Sequence, residues 1–117
     1  PSGSGKSDLA LRLMARGAEL VGDDYLELSQ KNGRLIMQAP DNIAGKIEVR
    51  HVGIWEGSFR AKSPVDMVFQ LTTENNLERL PGHNNTSLEG IEIPCLDFNA
   101  FEFSAVEKIT VALEIFL

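Results

Sequence analysis

The first seven residues of the sequence carry the pattern of a phosphate-binding loop. They match G-x-x-x-x-G-K-[ST] except for its first glycine, and a helix with apolar periodicity is predicted directly after them. Gly3 and Gly5 allow the backbone turn through which successive N–H groups converge on one anion. Lys6 can then contact the outer phosphates of a nucleotide, and the Ser7 hydroxyl can bind Mg²⁺. A Gly/Ser linker is the alternative, but a linker does not require Gly-Lys-Ser in this register. The predicted nucleotide-binding residues are Ser2, Gly3, Ser4, Gly5, Lys6 and Ser7.

Two adjacent carboxylates, Asp23 and Asp24, are the first candidates for chemistry on a bound nucleotide. Phosphoryl transfer requires a group that orients or deprotonates the acceptor. Neighbouring side chains at the end of a strand point to opposite sides, so only one of the two is expected to face the phosphates. That one could act as a base or support the metal, while the other bonds to backbone. The alternative is a pair that caps a turn, and position alone leaves both interpretations open.

Glu48 and two arginines could supply further charge at such a site. Glu48 and Arg50 lie two residues apart in a run with period-two alternation, which predicts one continuous strand over 46–54 and places them on the same face. The carboxylate could complete Mg²⁺ coordination and the guanidinium could offset negative charge. By spacing alone, a surface ion pair is favoured. Arg60 and Arg79 lie in or beside predicted loops, where either could stabilise a transferring phosphoryl group, although solvation is the default for a lone arginine.

Local patterns predict the elements that must position these residues. Asn32-Gly33 between two strand-like runs indicates a β-hairpin. Ser104, with Glu107 three residues on, indicates a capping box at the start of the last helix. The other predictions are a helix at 7–16 ended by Gly17, strands at 18–21, 65–71 and 91–98, a short helix at 74–80, a polar loop at 83–90 and a helix at 104–116. Together they predict one α/β domain with a strand-rich sheet and few helices.

The composition of this 117-residue chain excludes several classes of function. A net charge of −6 is inconsistent with a non-specific nucleic-acid surface, which requires a clustered basic face. No run approaches about 18 apolar residues, so no membrane span is predicted. The single cysteine, Cys95, favours a reducing cytoplasm and a buried, unreactive thiol. We expect one domain over 1–117. A phosphate-binding loop normally follows a strand, and no strand precedes the loop in this sequence, so the domain is expected to begin inside the loop.

The chain resembles the C-terminal catalytic domain of HPr kinase/phosphorylase, in particular the short form that lacks the N-terminal domain. The resemblance rests on residues 2–11 and 16–24, and on 47–54, which is similar to the signature E-x-R-G-x-G-I. Glu78-Arg79-Leu80 is similar to an acidic-Arg-Leu element of the family. The resemblance implies a P-loop-containing, kinase-like fold and a cytoplasmic, hexameric enzyme that uses ATP and Mg²⁺ to phosphorylate a serine of the phosphocarrier protein HPr.

The resemblance also implies roles for individual residues. Lys6 would contact phosphate, Ser7 and Glu48 would be the metal ligands, Asp24 would be the base and Arg79 would stabilise the transferred phosphoryl group. Asp23 and Arg50 would support them.

The chain departs from the family pattern at two places. His51 stands where the signature has glycine, and residues 96–102 replace a segment of the type P-V-R-P-G-R-N that the family uses in the reverse, phosphorolytic reaction. These departures favour a kinase without phosphorylase activity. Two other functions remain open at this point: a P-loop kinase of small molecules, and a nucleotide-binding regulatory module without catalysis.

Overall fold

The structure is a computed structural model that describes residues 5–23, 25–40 and 45–117. The first element is helix α1 (Lys6–Met14), which is rich in leucine, a strong helix former, and buries one face at Leu9. It ends at Ala15, and Gly17 follows in the left-handed region at φ 98°, where glycine commonly terminates a helix. The predicted helix and its glycine stop are confirmed.

Three antiparallel strands form the first sheet. Strands β1 (Glu27–Lys31) and β2 (Arg34–Gln38) are joined by Asn32 and Gly33, whose φ angles of 53° and 78° are those of a type I′ turn. The predicted hairpin is therefore confirmed. A later short strand, β5 (Lys62–Pro64), pairs with the free edge of β2.

A separate two-stranded hairpin packs against α1. It consists of β3 (Lys46–Val49) and β4 (Gly53–Glu56), in antiparallel register. The prediction of one continuous strand over 46–54 is wrong, because the chain reverses at residues 50–52. There His51 has φ 70° and the Val52 N–H donates to the carbonyl of Val49 at 2.9 Å. A turn this short leaves the apolar alternation almost unbroken, which made the two strands look like one.

The third sheet contains strands β6 (Val68–Leu71), β7 (Asn84–Leu88) and β8 (Ile91–Phe98), in the order β6-β8-β7. Strand β8 runs parallel to β6 and antiparallel to β7. The predicted strand at 91–98 is confirmed. Helix α2 (Ala105–Phe116) follows, as predicted, but the Ser104 side chain makes no capping hydrogen bond, so the expected capping box is absent.

The main core lies between the two helices and the third sheet. Phe98 contacts Phe69 edge-to-face, with ring centroids 5.4 Å apart. The buried members of this cluster are Leu9, Phe98, Ala100, Ala105, Val106 and Ile109. The core therefore joins α1 to a part of the chain about 90 residues later, and this contact positions the start of α1.

Three other local predictions are wrong. Residues 18–21 form a single parallel bridge, between Leu20 and Phe59, rather than a strand. No helix forms at 74–80, because the backbone around Glu74 bonds to side chains instead: Thr72 accepts from its N–H and Asn99 donates to its carbonyl. The polar loop at 83–90 contains β7, whose polar residues are held in register by the longer strand β8. The α/β class with few helices is confirmed, with the strands divided among three small sheets.

Candidate nucleotide-binding site

The described part of the phosphate-binding loop, Gly5-Lys6-Ser7, forms the N-terminal end of α1. Gly5 adopts φ 85° and ψ 15°, a left-handed conformation that costs glycine little. Its carbonyl accepts the first helical hydrogen bond, from the Leu9 N–H at 2.9 Å. Lys6 is exposed on the first turn. The positive dipole end of the helix and a lysine thus lie together at the first turn, as a phosphate site requires. The predicted binding residues Ser2, Gly3 and Ser4 lie outside the described residues.

The Ser7 hydroxyl and the Asp23 carboxylate meet at this end of α1. Ser7 Oγ donates a hydrogen bond to Asp23 Oδ1 at 3.1 Å. The two residues are brought together by the return of the chain after α1, which is fixed at Leu20: its N–H donates to the Ser58 carbonyl at 3.1 Å and its carbonyl accepts from the Arg60 N–H at 2.8 Å. Asp23 therefore reaches the loop serine. Asp24, the predicted base, lies outside the described residues.

An ion pair reinforces the segment that leads to Asp23. Arg60 Nη2 lies 2.8 Å from Glu19 Oε1, one residue before the bridge at Leu20. The hydrogen bond to Glu19 and then its charge raise the pKa of the Arg60 guanidinium above its ordinary value. Both side chains are exposed, so solvent screening leaves the pair little effect on stability. Arg60 thus has a structural partner here, which argues for a positioning role over contact with phosphate.

The oxygen atoms of Ser7 and Asp23 are of the kind that Mg²⁺ prefers. Protein sites for this ion usually supply one or two such ligands and leave the others to phosphate oxygens and water. Within residues 5–23, 25–40 and 45–117 there is no cluster of three or more His, Cys, Asp or Glu side chains that could hold a metal. The donor set accordingly fits Mg²⁺ bound together with a nucleotide, rather than a metal held by protein alone.

The other predicted site residues lie on elements around α1. Glu48 is exposed on β3, which packs against α1. Arg50 is exposed in the β3–β4 turn, so the expectation that it shares a strand face with Glu48 is wrong. Arg79 is exposed in the extended connection between β6 and β7. Among the described residues, Glu48, Arg50 and Arg79 make no hydrogen bond or ion pair with Ser7 or Asp23.

The segment 99–103, between β8 and α2, contacts the loop and was not predicted to belong to the site. Its residue Phe101 is 61% exposed, and its ring lies against Gly5. Three phenylalanines lie in or beside this segment, Phe98, Phe101 and Phe103. Only Phe98 lies in the core, and Phe103 is 99% exposed. Nothing in the local sequence could have revealed the contact with Gly5, because it joins opposite ends of the chain.

Comparison with known proteins identifies relatives across most of the chain. A family model described as HPr Serine kinase C-terminal domain matches residues 1–113. The chain is 36% identical over 107 residues to an HPr kinase/phosphorylase of Caldicellulosiruptor bescii, a match that covers 81% of this chain and 34% of that protein. An HPr kinase/phosphorylase of Treponema pallidum is 34% identical over 109 residues, covering 82% and 34%. The chain thus spans about a third of the length of these curated relatives.

A solved structure has the same fold. The HPr(Ser) kinase/phosphatase of Coxiella burnetii superimposes with a TM-score of 0.85, covering 98% of this chain and 82% of that one, at 24% sequence identity. At this identity the likeness concerns the fold, and it confirms the predicted P-loop-containing, kinase-like α/β domain. No helix in the described parts of the chain is long and apolar enough to cross a membrane.

Proposed function

The chain belongs to the family of HPr serine kinase C-terminal domains, which confirms the resemblance read from its motifs, and we propose that it is the catalytic domain of an ATP-dependent kinase. Its acceptor is a serine of an HPr-like phosphocarrier protein of the phosphotransferase system. The observation that carries the proposal is the hydrogen bond from Ser7 to Asp23, 3.1 Å long, because it brings a carboxylate to the phosphate-binding loop.

In this proposal the loop holds the nucleotide. The N–H groups at the start of α1 and the Lys6 ammonium bind the phosphates of ATP, which extend toward Asp23. Ser7 and Asp23, with Glu48 from the neighbouring strand β3, are the residues that would hold Mg²⁺. When bound, this ion neutralises negative charge on the phosphate oxygens. Transfer is thereby accelerated mainly by positioning and by neutralisation of charge.

Asp24 acts on the acceptor. It takes the proton of the serine hydroxyl as the serine oxygen forms a bond to the γ-phosphorus. The bond between that phosphorus and the β,γ-bridging oxygen breaks, and ADP leaves with the electron pair. The family resemblance assigns this role to Asp24, and Asp23, which already bonds to Ser7, is assigned to the metal. Arg79 stabilises the charge on the transferred group, and Arg50 supports the site from the β3–β4 turn.

We further propose that the whole protein acts in the cytoplasm and assembles as a homo-oligomer. The family resemblance implies that this oligomer is a hexamer. Its acceptor is a protein, in keeping with the names of its relatives, HPr kinase/phosphorylase. We do not extend the proposal to the phosphorylase reaction, because residues 96–102 carry no arginine.

The test is transfer of labelled γ-phosphate from ATP-Mg²⁺ to purified HPr, with the labelled residue located by mass spectrometry. The full protein is compared with Asp24→Asn, which should lose transfer by at least about a hundredfold while it still binds ATP. Asp66→Asn is the matched control, since Asp66 is an exposed carboxylate whose ion-pair partner, Arg34, lies on strand β2. Undiminished transfer by Asp24→Asn removes this residue from the mechanism. Binding of ATP without labelling of HPr contradicts the kinase assignment and favours a small-molecule kinase or a regulatory module.

A further inference from the structure

An exposed aromatic ring covers the glycine at the base of the phosphate-binding loop. A Cβ built on Gly5 would lie 3.3 Å from both Cε1 and Cζ of Phe101, and 3.4 Å from the Cβ of Ala100. The ring edge therefore lies directly beside the position that the Cβ of any other residue at position 5 would take. Because Phe101 is 61% exposed, burial in the core does not explain its position.

The backbone that carries this ring is fixed from one side by Asn99. Asn99 is 6% exposed, and its Oδ1 accepts a hydrogen bond from the Phe101 N–H at 2.9 Å. Its Nδ2 donates to the carbonyl of Glu74 at 3.2 Å and to Asn75 Oδ1 at 3.3 Å. All polar atoms of this buried amide are thus engaged in holding the segment 99–103 in one conformation.

The same segment is tied to the helix that the loop enters. From α1, Arg12 donates through Nη2 to the carbonyl of Phe103 at 3.1 Å and through Nη1 to that of Ala100 at 3.5 Å. The ring and the glycine consequently belong to one rigid arrangement of α1 and the segment 99–103. Such bonds to backbone carbonyls fix the position of Phe101 independently of its own side-chain packing.

We infer that Phe101 is a positioning residue for nucleotide binding, which holds Gly5 in its left-handed conformation and so pre-orders the N–H groups of the loop. The inference rests on the proposed function, since it requires that the loop bind phosphate. Without the ring, Gly5 can sample the broad range of φ open to glycine, and a bound phosphate must then order it. Fixing the backbone of one residue corresponds to about a tenfold change in an equilibrium constant.

The experiment measures binding of MgATP and of magnesium tripolyphosphate, which has no base, by calorimetry with the full protein. Phe101→Ala should raise the Kd of both ligands by about five- to tenfold, with the melting temperature of the ligand-free protein nearly unchanged. In phosphate transfer the KM for ATP should rise with kcat preserved, because the contact is the same in the ground state and the transition state. Phe101→Leu keeps part of the apolar contact, so its Kd values should lie between those of the unaltered protein and those of Phe101→Ala. Phe103→Ala is the matched control, as this ring is 99% exposed two residues away.

Three outcomes overturn the inference while leaving the proposed function intact. Unchanged binding in Phe101→Ala would mean that the ring does not act on the loop. Loss of affinity for MgATP alone would mean that the ring contacts the base. A large fall in the melting temperature of the ligand-free variant would mean that its role is structural. If the unaltered protein binds neither ligand, the proposed function itself fails.

Discussion

Replacing Gly5 by alanine tests the geometry of the phosphate-binding loop most directly. At φ 85° an alanine is in the left-handed region, which costs about 1–2 kcal/mol relative to a right-handed conformation. Alanine also reduces the entropy of the unfolded chain, which offsets roughly 0.4–1 kcal/mol of this. The new Cβ would lie 3.3–3.4 Å from Phe101 and Ala100, so the exposed ring must shift by a few tenths of an ångström, which costs little, while the buried Ala100 stays in place. We therefore expect a net loss of roughly 1 kcal/mol in the free energy of unfolding.

Two other glycines separate the contributions to this loss. Gly17, at φ 98°, has the same left-handed backbone but no atom within 4 Å of a Cβ, so Gly17→Ala isolates the backbone cost. Gly82 has neither a left-handed backbone nor a close neighbour, and Gly82→Ala should be neutral or slightly stabilising. Urea denaturation of the three variants should place Gly5→Ala as the least stable and Gly82→Ala as the most stable. A melting temperature lower by about 3–5 °C should accompany the loss at Gly5. Full stability of Gly5→Ala would show that the left-handed conformation and the ring contact are not present in the folded protein.

Two titratable groups give predictions with a defined sign. A hydrogen bond from its own backbone N–H, reinforced by Arg16 at 2.7 Å, lowers the pKa of Glu107. Its contribution to stability is therefore present above the unfolded pKa of about 4.3 and is lost as the pH falls through the folded value. Glu107→Gln should destabilise the protein in urea more at pH 7 than at pH 3, and an equal effect at both would contradict the shift. Burial, and then the charge of Asp97, raise the pKa of the Cys95 thiol. The rate of alkylation by iodoacetamide should reach half its maximum at a higher pH in the folded protein than in urea, and a lower midpoint would refute this.

Local patterns predicted those parts of the fold whose cause is local. Asn32-Gly33 predicted its hairpin because both residues readily adopt positive φ. The loop at the start of α1 could be predicted because its chemistry depends on residues that are adjacent in the sequence. The helix expected at 74–80 failed because its backbone bonds to a side chain 25 residues away, at Asn99. Strand β7 was missed because its polar residues have little strand preference of their own and are ordered by β8.

The candidate site likewise has parts that local sequence patterns can predict and parts that depend on contacts between distant residues. Ser7 and the Asp pair were predicted from motif and position, and the structure adds that Asp23 bonds to Ser7. The roles of Asp24, Glu48 and Arg79 remain predictions. The contribution of Phe101 was beyond sequence analysis, since no spacing rule connects a phenylalanine before the last helix with a glycine before the first.

The contacts of α1 also constrain when the nucleotide site can form during synthesis. Leu9 is buried against Phe98, Val106 and Ile109, and Arg12 bonds to a carbonyl 88 residues later in the chain. At typical translation rates, that separation corresponds to roughly 4–18 s between the emergence of α1 and that of its partners. During this interval the apolar face of α1 has none of the surfaces that cover it in the folded protein. The phosphate-binding loop, although synthesised before them, can therefore reach its final shape only after the segment 99–103 and the first half of α2 have left the ribosome.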